Sequence, residues 1–288
     1  MTLKLESVQD DFRRLGLSAG DTVMLHSRAT ALDRAHELIH LEDTGMKLLL
    51  DALRGVLGER GVLAVPTFTR TFRDEASGPT GDVWNPQASR SRVGSFTNYV
   101  LAQPGRARSD HPTHSVAALG AGAEDFCAGH SWREGASTCD RDGPWGKLVD
   151  RNGWILWFGT DMRTQTAVHA VEDWMRLPYM ATCVALVDDA GRTREVEVTQ
   201  SPAGSRDFYR KDSKSALAWE RAGLSRKGTV GRAACELMRA ADFIDWLWNA
   251  LLADPGLLLL DKPDHAWSVE AKKKTAGYLA TFKGSWRR

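Results

Sequence analysis

Apolar positions near the start of the chain follow first a helical and then an extended pattern. Apolar side chains recur at helical spacing from Leu5 to Leu15, which predicts a helix over 4–15 that ends at Gly16. The apolar run over 21–27 predicts a buried strand. A second helical pattern over 45–58 and a second apolar run over 61–68 follow. This strand–helix–strand order indicates an α/β layer fold.

The rest of the chain alternates polar connections with shorter elements. Residues 69–92 are polar and contain glycine and proline, which predicts a long loop, and long loops in compact domains are often functional. Beyond this loop the pattern predicts a helix over 93–105, strands over 114–120 and 154–159, a β-hairpin over 183–200, a long amphipathic helix over 233–251 and a strand over 256–261.

Composition and charge exclude several classes of protein. The 288 residues include 38 basic and 37 acidic side chains, so the chain offers no overall cationic charge for nucleic acid. No apolar run is long enough for a signal peptide or a membrane span. The four cysteines form no CxxC pair, which argues against a zinc site or a disulfide framework. We expect a cytoplasmic protein without a metal, a nucleic-acid partner or a membrane partner.

The common nucleotide and hydrolase motifs are absent from the sequence. It contains no GxGxxG after a strand, no GxxxxGK[ST], no GxSxG and no HExxH. Candidate chemistry therefore rests on less familiar segments, of which three combine histidine with hydroxyl or charged side chains.

The first segment is "LHSRA" (25–29), where a buried strand runs into His26, Ser27 and Arg28. The ends of strands in α/β sheets are common ligand sites, although an ordinary strand end explains the segment equally well. The second segment, "RARSDHPTHSVAALG" (106–120), concentrates arginine and histidine before a strand of small residues. A solvated basic loop is the alternative interpretation of this segment.

The third segment is "RTQTAVHAVEDW" (163–174), which follows the predicted strand "WILWFG". If a helix begins here, His169 and Glu172 lie on one helical face at spacing i, i+3. A carboxylate in that position can orient an imidazole and support it as a general base. A surface ion pair is the alternative interpretation.

Taken in order, these segments resemble the aminoglycoside 3-N-acetyltransferase family of acetyl-CoA-dependent enzymes. The resemblance is clear over residues 4–180, and in the C-terminal third it rests on "TVGRAACELM" (229–238). The family motifs are a strand ending in His-Ser, a strand ending in Pro-Thr, an Arg-Ser-x-His-Pro-x-x-Ser segment and a Thr-x-x-His-x-x-Glu segment. They match His26–Ser27, Pro66–Thr67, Arg108 to Pro112 with Ser115, and Thr166, His169 and Glu172.

The resemblance implies a single α/β domain over 1–288, with a mixed central sheet flanked by helices. It also implies that acetyl-CoA is the acyl donor, that a small-molecule amine is the acceptor, and that no metal takes part. His169 would be the general base and Glu172 its orienting partner. Side chains implied to bind CoA are those of His26, Ser27, Arg28, Thr67, Arg108 and Ser115, and those implied to bind the acceptor are His111 and Asp161.

The sequence departs from the family pattern mainly on the acceptor side. The connection over 30–45 is longer than usual, Gly143 replaces a serine, and Arg163 stands where the family often has an aspartate, for which Asp161 could substitute. The acidic side chains that could attract a polycationic acceptor each lie close to an arginine in the sequence, so the negative field of the carboxylates is partly cancelled. These candidates are Asp74, Glu75, Glu134, Asp140 and Asp142.

Three acceptor hypotheses therefore stay open from the sequence. The protein acetylates an aminoglycoside and confers antibiotic resistance, or it acylates a less cationic amine in a biosynthetic reaction. Alternatively, it is a catalytically altered relative that binds CoA or an amine without turnover. The oligomeric state is also open, with a homodimer among the candidates.

Overall fold

The computed structural model describes residues 3–32, 44–72, 82–135, 137–201, 210–260, 262 and 265–287. A seven-stranded sheet with the strand order β3-β4-β2-β1-β5-β9-β8 forms the centre, and β6 and β7 pair separately. The strands are β1 (Thr22–Ser27), β2 (Val62–Pro66), β3 (Ala107–Arg108), β4 (Val116–Gly120), β5 (Trp154–Phe158), β6 (Ala181–Asp189), β7 (Arg192–Gln200), β8 (Arg226–Val230) and β9 (Ala233–Arg239).

Helices cover the sheet on its two faces. Within the described residues they are α1 (Leu5–Leu15), α2 (Thr44–Leu57), α3 (Ser95–Leu101), α4 (Ala123–Cys127), α5 (Pro144–Asp150), α6 (Ala167–Trp174), α7 (Lys214–Ala222), α8 (Ala240–Ala253) and α9 (Ala266–Leu279). The predicted α/β fold with a mixed central sheet flanked by helices is therefore confirmed.

The central strands run parallel, whereas the outer strands run antiparallel to their neighbours. β1 pairs in parallel with β2 on one side and with β5 on the other. β4 and β9 add antiparallel strands beyond them. All residues of β2 and β5 are buried, as expected for strands with helices on both faces. The carboxyl ends of β1, β2 and β5 consequently meet at one edge of the sheet.

Two hydrophobic clusters occupy the opposite faces of the sheet because side chains alternate along each strand. Met24 in β1 belongs to the cluster beneath α6 and α8, whereas its neighbours Val23 and Leu25 belong to the cluster beneath α1 and α2. The α1 helix buries Val8, Phe12 and Leu15 and ends at Gly16, as the apolar spacing predicted.

The β6–β7 hairpin packs beside the loop that precedes α3 rather than in the main sheet. It forms isolated bridges between Phe72 and Ala185 and between Trp84 and Val187. Apart from these bridges, the described part of 69–92 has no helix or strand, in agreement with the predicted loop. The hairpin itself was predicted over 183–200 and is confirmed.

Two predictions for the C-terminal region are wrong. The proposed helix over 233–251 is a strand, β9, up to Arg239 and a helix, α8, only from Ala240. Helix-favouring residues lie in β9, but burial alternates along Ala233 to Leu237 because the strand completes the ladder beside β5. The proposed strand over 256–261 is absent from its described residues, 256–260, which form a turn and a single bridge residue, Leu259, and bury Leu257, Leu258 and Leu259.

Other elements differ in extent or were not predicted. The helix predicted over 93–105 is confined to Ser95–Leu101. The short strand β8 and the helices α5, α7 and α9 lacked a clear apolar period and were not predicted. No described helix is long and apolar enough to cross a membrane. The segment 33–43, which contains most of the long connection over 30–45, lies outside the described residues, as do Asp74 and Glu75.

Candidate active site

The three central strand ends bring the first predicted segment to the edge of the sheet. His26 and Ser27 lie opposite Trp157 and Phe158 of β5, and the Arg28 backbone N–H donates to the Phe158 carbonyl. His26 is buried, Ser27 is partly buried and Arg28 is exposed. The strand end thus presents one buried imidazole and one exposed guanidinium.

Gly159 permits the close approach of the chain at this edge. Its φ of 64° lies in the left-handed region, and an added Cβ would clash with Ala31 Cβ and lie 3.0 Å from the Arg28 carbonyl oxygen. The chain then forms a short 3₁₀ turn over Met162–Thr164, capped by the Asp161 side chain, before α6 begins. This turn places the first turn of α6 beside the strand ends.

His169 and Glu172 form a buried hydrogen-bonded pair on α6, as the third segment predicted. His169 Nδ1 lies 2.8 Å from Glu172 Oε2. Because a carboxylate can only accept, Nδ1 carries the proton in this pair and Nε2 is the basic nitrogen of the ring. The alternative of a surface pair is wrong, since His169 is 6% exposed and Glu172 is fully buried.

The second oxygen of Glu172 accepts hydrogen bonds from two hydroxyl groups. Tyr179 donates at 2.8 Å and Ser201 at 3.0 Å, both to Oε1. Tyr179 follows α6 and Ser201 follows β7, so two separate segments converge on the same carboxylate. Neither residue was predicted from the sequence as part of the site.

A cavity of about 270 Å³ opens beside this pair at the strand ends. Its wall is largely apolar, and His26, Ser27 and His169 contribute to it. The residues that line it are Leu25, His26, Ser27, Pro66, Phe68, Val93, Thr97, Thr160, Arg163, Thr164, Gln165, Thr166 and His169. An apolar cavity with a few convergent polar groups is typical of small-molecule sites.

Two buried nitrogen atoms of the cavity residues have no hydrogen-bond partner among the described residues, namely His26 Nε2 and Gln165 Nε2. Unsatisfied buried donors or acceptors are rare in folded proteins and indicate atoms that a ligand or water can satisfy. Burial lowers the pKa of His26 to about 3, although the Gln165 side chain opposes this shift, so His26 is neutral at physiological pH. The cavity therefore offers an uncharged, largely apolar surface with two polar nitrogen atoms to a ligand.

A wider groove of about 700 Å³ adjoins the cavity and shares Thr160 and Arg163 with it. Basic side chains in its wall include Arg28, Lys227 and Arg232, with Asp161 and Glu236 as acidic neighbours. Exposed arginine and lysine side chains in such a groove can bind an anionic group of a ligand.

Thr67, Ser115 and Arg108 form an internal network behind the strand ends. The Ser115 and Thr67 side chains are fully buried, and their hydroxyl oxygens lie 2.9 Å apart. Arg108 donates to Ser115 Oγ and to the carbonyls of Thr67 and Ser89, and its guanidinium lies 4.5 Å from the centre of the Trp84 ring. Their direct contact with CoA stays a prediction, whereas their bracing of the segments around β2 and β4 is observed.

His111 and Asp161, predicted to bind the acceptor, have protein partners in the structure. His111 is fully buried and stacks on His130, so it supports the site from behind. Asp161 accepts three hydrogen bonds from the Arg163 guanidinium, at 2.8, 3.1 and 2.6 Å, and this partner lowers the pKa of the carboxyl. Acceptor binding by these two residues stays a prediction.

His114 brings the second segment into contact with His169. The two rings meet edge-on with their centres 5.6 Å apart, and Thr113 Oγ1 lies 2.9 Å from His114 Nδ1. The alternative of a solvated basic loop is wrong for this part of the segment, because His111, His114 and Ser115 are all buried.

Sequence reasoning missed several residues around the pair. The Gln165 side-chain oxygen accepts a hydrogen bond from the Ala167 N–H at the start of α6. Arg163 lines the cavity and also binds the Asp161 carboxylate. Gln165 could have been identified as a polar residue at the expected start of the helix. Tyr179 and Ser201 carried no local signal.

Comparisons with known proteins agree with this geometry. The sequence profile of the aminoglycoside 3-N-acetyltransferase family matches residues 25–251. Aminoglycoside N(3)-acetyltransferase VII of Streptomyces paromomycinus is 31% identical over 261 residues, which cover 82% of this chain and 87% of that protein. Aminoglycoside N(3)-acetyltransferase III of a Salmonella species is 24% identical, over 83% of this chain and 88% of that protein.

Solved structures share the fold over most of the chain. The binary complex of AAC-IIIb with CoASH matches with a TM-score of 0.74 and 24% identity, covering 91% of this chain and 99% of that one. A mutant of AAC(3)-IVa in complex with a gentamicin also gives a TM-score of 0.74, with 22% identity over 95% and 99% of the two chains.

The chain therefore belongs to the aminoglycoside 3-N-acetyltransferase family. The predicted family, its fold and the enzyme class, an N-acetyltransferase, are confirmed. Within the described residues, no group of three or more His, Cys, Asp or Glu side chains is arranged to hold a metal ion.

Proposed function

We propose that this protein transfers the acetyl group of acetyl-CoA to an amine of an aminoglycoside or a related natural product, with His169 as general base. The single observation that carries the proposal is the His169–Glu172 hydrogen bond of 2.8 Å at the wall of a cavity formed by parallel strand ends. The names of the relatives further specify the amine at position 3 of an aminoglycoside.

The geometry supports direct transfer from the thioester to the amine. The amine nitrogen attacks the thioester carbonyl while His169 Nε2 takes a proton from that nitrogen. The carbon–sulfur bond then breaks, the acetyl group stays on nitrogen as an amide, and the sulfur leaves and becomes the CoA thiol on taking a proton. Glu172 holds the imidazole in the required tautomer and stabilises the imidazolium that forms.

We place the thioester arm of CoA in the 270 Å³ cavity, beside His26 and Ser27. Arg28, exposed at the end of β1, is then positioned to meet the phosphates in the adjoining groove. The interior network of Thr67, Arg108 and Ser115 supports the site. His111 also supports it, because its Nδ1 accepts a hydrogen bond from the His114 backbone N–H.

Asp161, in the wall of the groove beside the cavity, is held by the Arg163 guanidinium, and Asp189 on the β6–β7 hairpin accepts from Arg133 and Arg194, both at 2.7 Å. These pairs reduce the negative field that would attract a polycation. The acceptor panel should therefore include amines that carry fewer charges than an aminoglycoside, so that a resistance role and a biosynthetic role are both tested.

Incubation of the purified protein with acetyl-CoA and this amine panel tests the proposal. We expect release of free CoA thiol together with a product heavier by one acetyl group. CoA binding without thiol release on any amine would instead support a catalytically altered relative. The buried or partly buried free cysteines agree with a cytoplasmic location, and a homodimer is a prediction that sedimentation can test.

A further inference from the structure

The carboxylate of Glu172 is fully buried, and protein groups donate hydrogen bonds to both of its oxygen atoms. Oε2 faces His169 Nδ1 at 2.8 Å, and Oε1 faces the hydroxyls of Tyr179 and Ser201 at 2.8 and 3.0 Å. Tyr179 is 6% exposed and Ser201 is 5% exposed, so solvent contributes little to either contact.

Hydroxyl donors act on the charge of a buried carboxylate as well as on its position. Burial disfavours the ionised form, whereas each O–H donor stabilises it and draws electron density away from the other oxygen. A carboxylate with fewer donors has a higher proton affinity and attracts the proton of a hydrogen-bonded imidazole more strongly.

We propose that Tyr179 and Ser201 are positioning residues that lower the proton affinity of the His169–Glu172 pair and so set the lowest pH at which His169 can act as a base. This inference rests on the proposed function, since it assigns a task to residues that act through the general base.

The direction of the effect is the same whichever residue of the pair takes the added proton. If the proton resides on His169 Nε2, the ring is an imidazolium and cannot act as a base. If Glu172 is protonated instead, it donates to Nδ1, and Nε2 then carries the ring proton. In both cases loss of a hydroxyl donor favours the protonated, inactive pair, so the acid limb of activity moves to higher pH.

Apart from Tyr179 in the Tyr179→Phe variant, the titratable and charged groups around the pair are the same residues in wild type and variants. His114 lies edge-on to His169, and the charge of Glu172 helps to raise the pKa of the neighbouring Asp173, for which burial is the main cause. The described groups that face the pair or share its cavity are His26, His114, Arg163, Asp173 and Tyr179.

The test compares Tyr179→Phe and Ser201→Ala with wild type in the dependence of kcat/KM on pH, using one amine throughout. We expect the acid limb to move upward by about 0.5–1 pH unit in each variant, with little change on the plateau. A titration of ¹⁵N-labelled histidine by NMR, with the His169 signal assigned from His169→Ala, should show the same shift without turnover.

Tyr278→Phe and Ser7→Ala are the matched controls. Tyr278 donates to the carbonyl of Met175 at the end of the same helix, and Ser7 donates to the carbonyl of Lys4 at the start of α1. Both controls should leave the acid limb in place. A shift in Tyr278→Phe equal to that in Tyr179→Phe would overturn the proposal, because the effect would then reflect loosened packing of α6.

The outcomes separate this inference from the proposed function. An unchanged acid limb and an unchanged NMR titration in both Tyr179→Phe and Ser201→Ala would overturn the inference while leaving His169 as the base. Normal turnover in His169→Ala would instead refute the proposed function, and the NMR titration would still report the proton affinity of the pair. Because the two variants change different segments, either one that folds provides the test.

Discussion

The imidazole rings of His111 and His130 stack with their centres 4.6 Å apart and their planes 6° from parallel. His130 Nε2 donates to the Thr138 carbonyl and Nδ1 lies 3.0 Å from Ser109 Oγ, while His111 Nδ1 accepts from the His114 backbone N–H. An accepting Nδ1 requires the His111 ring to be neutral, and burial favours the neutral form of both rings. The stack fixes the segment that carries His114 against His169.

This stack predicts that acid weakens the fold well before the carboxylates titrate. Burial lowers the pKa of His130 to about 4 and that of His111 well below 6.5, with the neighbouring His130 adding to the second shift. The unfolded chain binds protons below about pH 6.5 that the folded chain cannot bind. Stability is therefore complete above that pH and falls below it, by up to about 1.4 kcal/mol per pH unit for each histidine.

Urea unfolding at pH 7.5, 6.5, 5.5 and about 5 measures this slope. His26 adds to it, since its pKa is lowered to about 3 by burial. His130→Gln, which keeps a neutral polar side chain, should unfold at lower urea at neutral pH but show a shallower dependence on pH. A free energy of unfolding that stays constant from pH 7 to 5 would contradict the neutral stack.

Replacement of His169 by alanine should remove most of the turnover but little of the CoA affinity. Positioned general-base catalysis contributes about a hundred- to ten-thousand-fold in rate, and we expect a loss in that range. The measurement is thiol release under saturating acetyl-CoA, with CoA affinity from calorimetry. Added imidazole should restore part of the activity by occupying the space of the lost ring. Near-wild-type turnover in this variant would exclude His169 as the base.

Glu172→Gln should reduce turnover less than His169→Ala does. The amide keeps the shape of the carboxylate, but it can no longer stabilise the imidazolium, and its NH₂ group can oppose the Nδ1 proton. Because Oε1 also accepts from Tyr179 and Ser201, the variant should lose stability as well. Turnover normalised to folded protein separates the two effects. Turnover per folded protein equal to that of wild type at every pH would argue against this role for Glu172.

The sequence predicted the His169–Glu172 pair because both residues lie on one turn of a single helix, where spacing alone determines proximity. It could not predict Tyr179, which lies beyond the end of α6, or Ser201, which is 29 residues from Glu172 along the chain. Those contacts depend on how the β6–β7 hairpin returns to the site. Contacts between residues so far apart along the chain cannot be predicted from the periodicity of the sequence.

The C-terminal errors have a related cause. Residues 233–239 include alanine, glutamate, leucine and methionine, all of which favour helices. These residues nevertheless form β9, because they pair with β5 in an antiparallel ladder. This pairing also buries Leu237. Tertiary pairing thus overrides local propensity at a position where composition alone indicates a helix.

Arg28→Ala should weaken CoA binding by about tenfold, since one charge-assisted hydrogen bond to phosphate contributes roughly 1.5–3 kcal/mol and exposure reduces its value. Calorimetry at two salt concentrations provides the measurement, and the difference between wild type and variant should shrink at high salt. Arg192→Ala on the hairpin is the control, because Arg192 is also exposed but lies away from the strand ends. Equal CoA affinity in wild type and Arg28→Ala would place the phosphates elsewhere.

Arg108→Ala should destabilise the fold rather than act on chemistry alone. The Arg108 guanidinium donates to three carbonyl groups, those of Thr67, Pro86 and Ser89, and to Ser115 Oγ. Burial lowers the pKa of Arg108 to about 10, with Arg106 adding to the shift, so the guanidinium remains charged at neutral pH. Removal of the Arg108 guanidinium leaves the three carbonyl oxygens and Ser115 Oγ without this hydrogen-bond donor in a partly buried environment.

We expect the free energy of unfolding to fall by about 2–4 kcal/mol in Arg108→Ala. Arg108→Lys should recover only part of this loss, because an ammonium group cannot reach the same acceptors with the planar geometry of a guanidinium or stack on the Trp84 ring, whose centre is 4.5 Å away. Urea unfolding of both variants, with Arg192→Ala as a surface control, provides the comparison. If Arg108→Ala is as stable as wild type but binds CoA at least tenfold more weakly, Arg108 contacts the donor directly instead of bracing the strand ends.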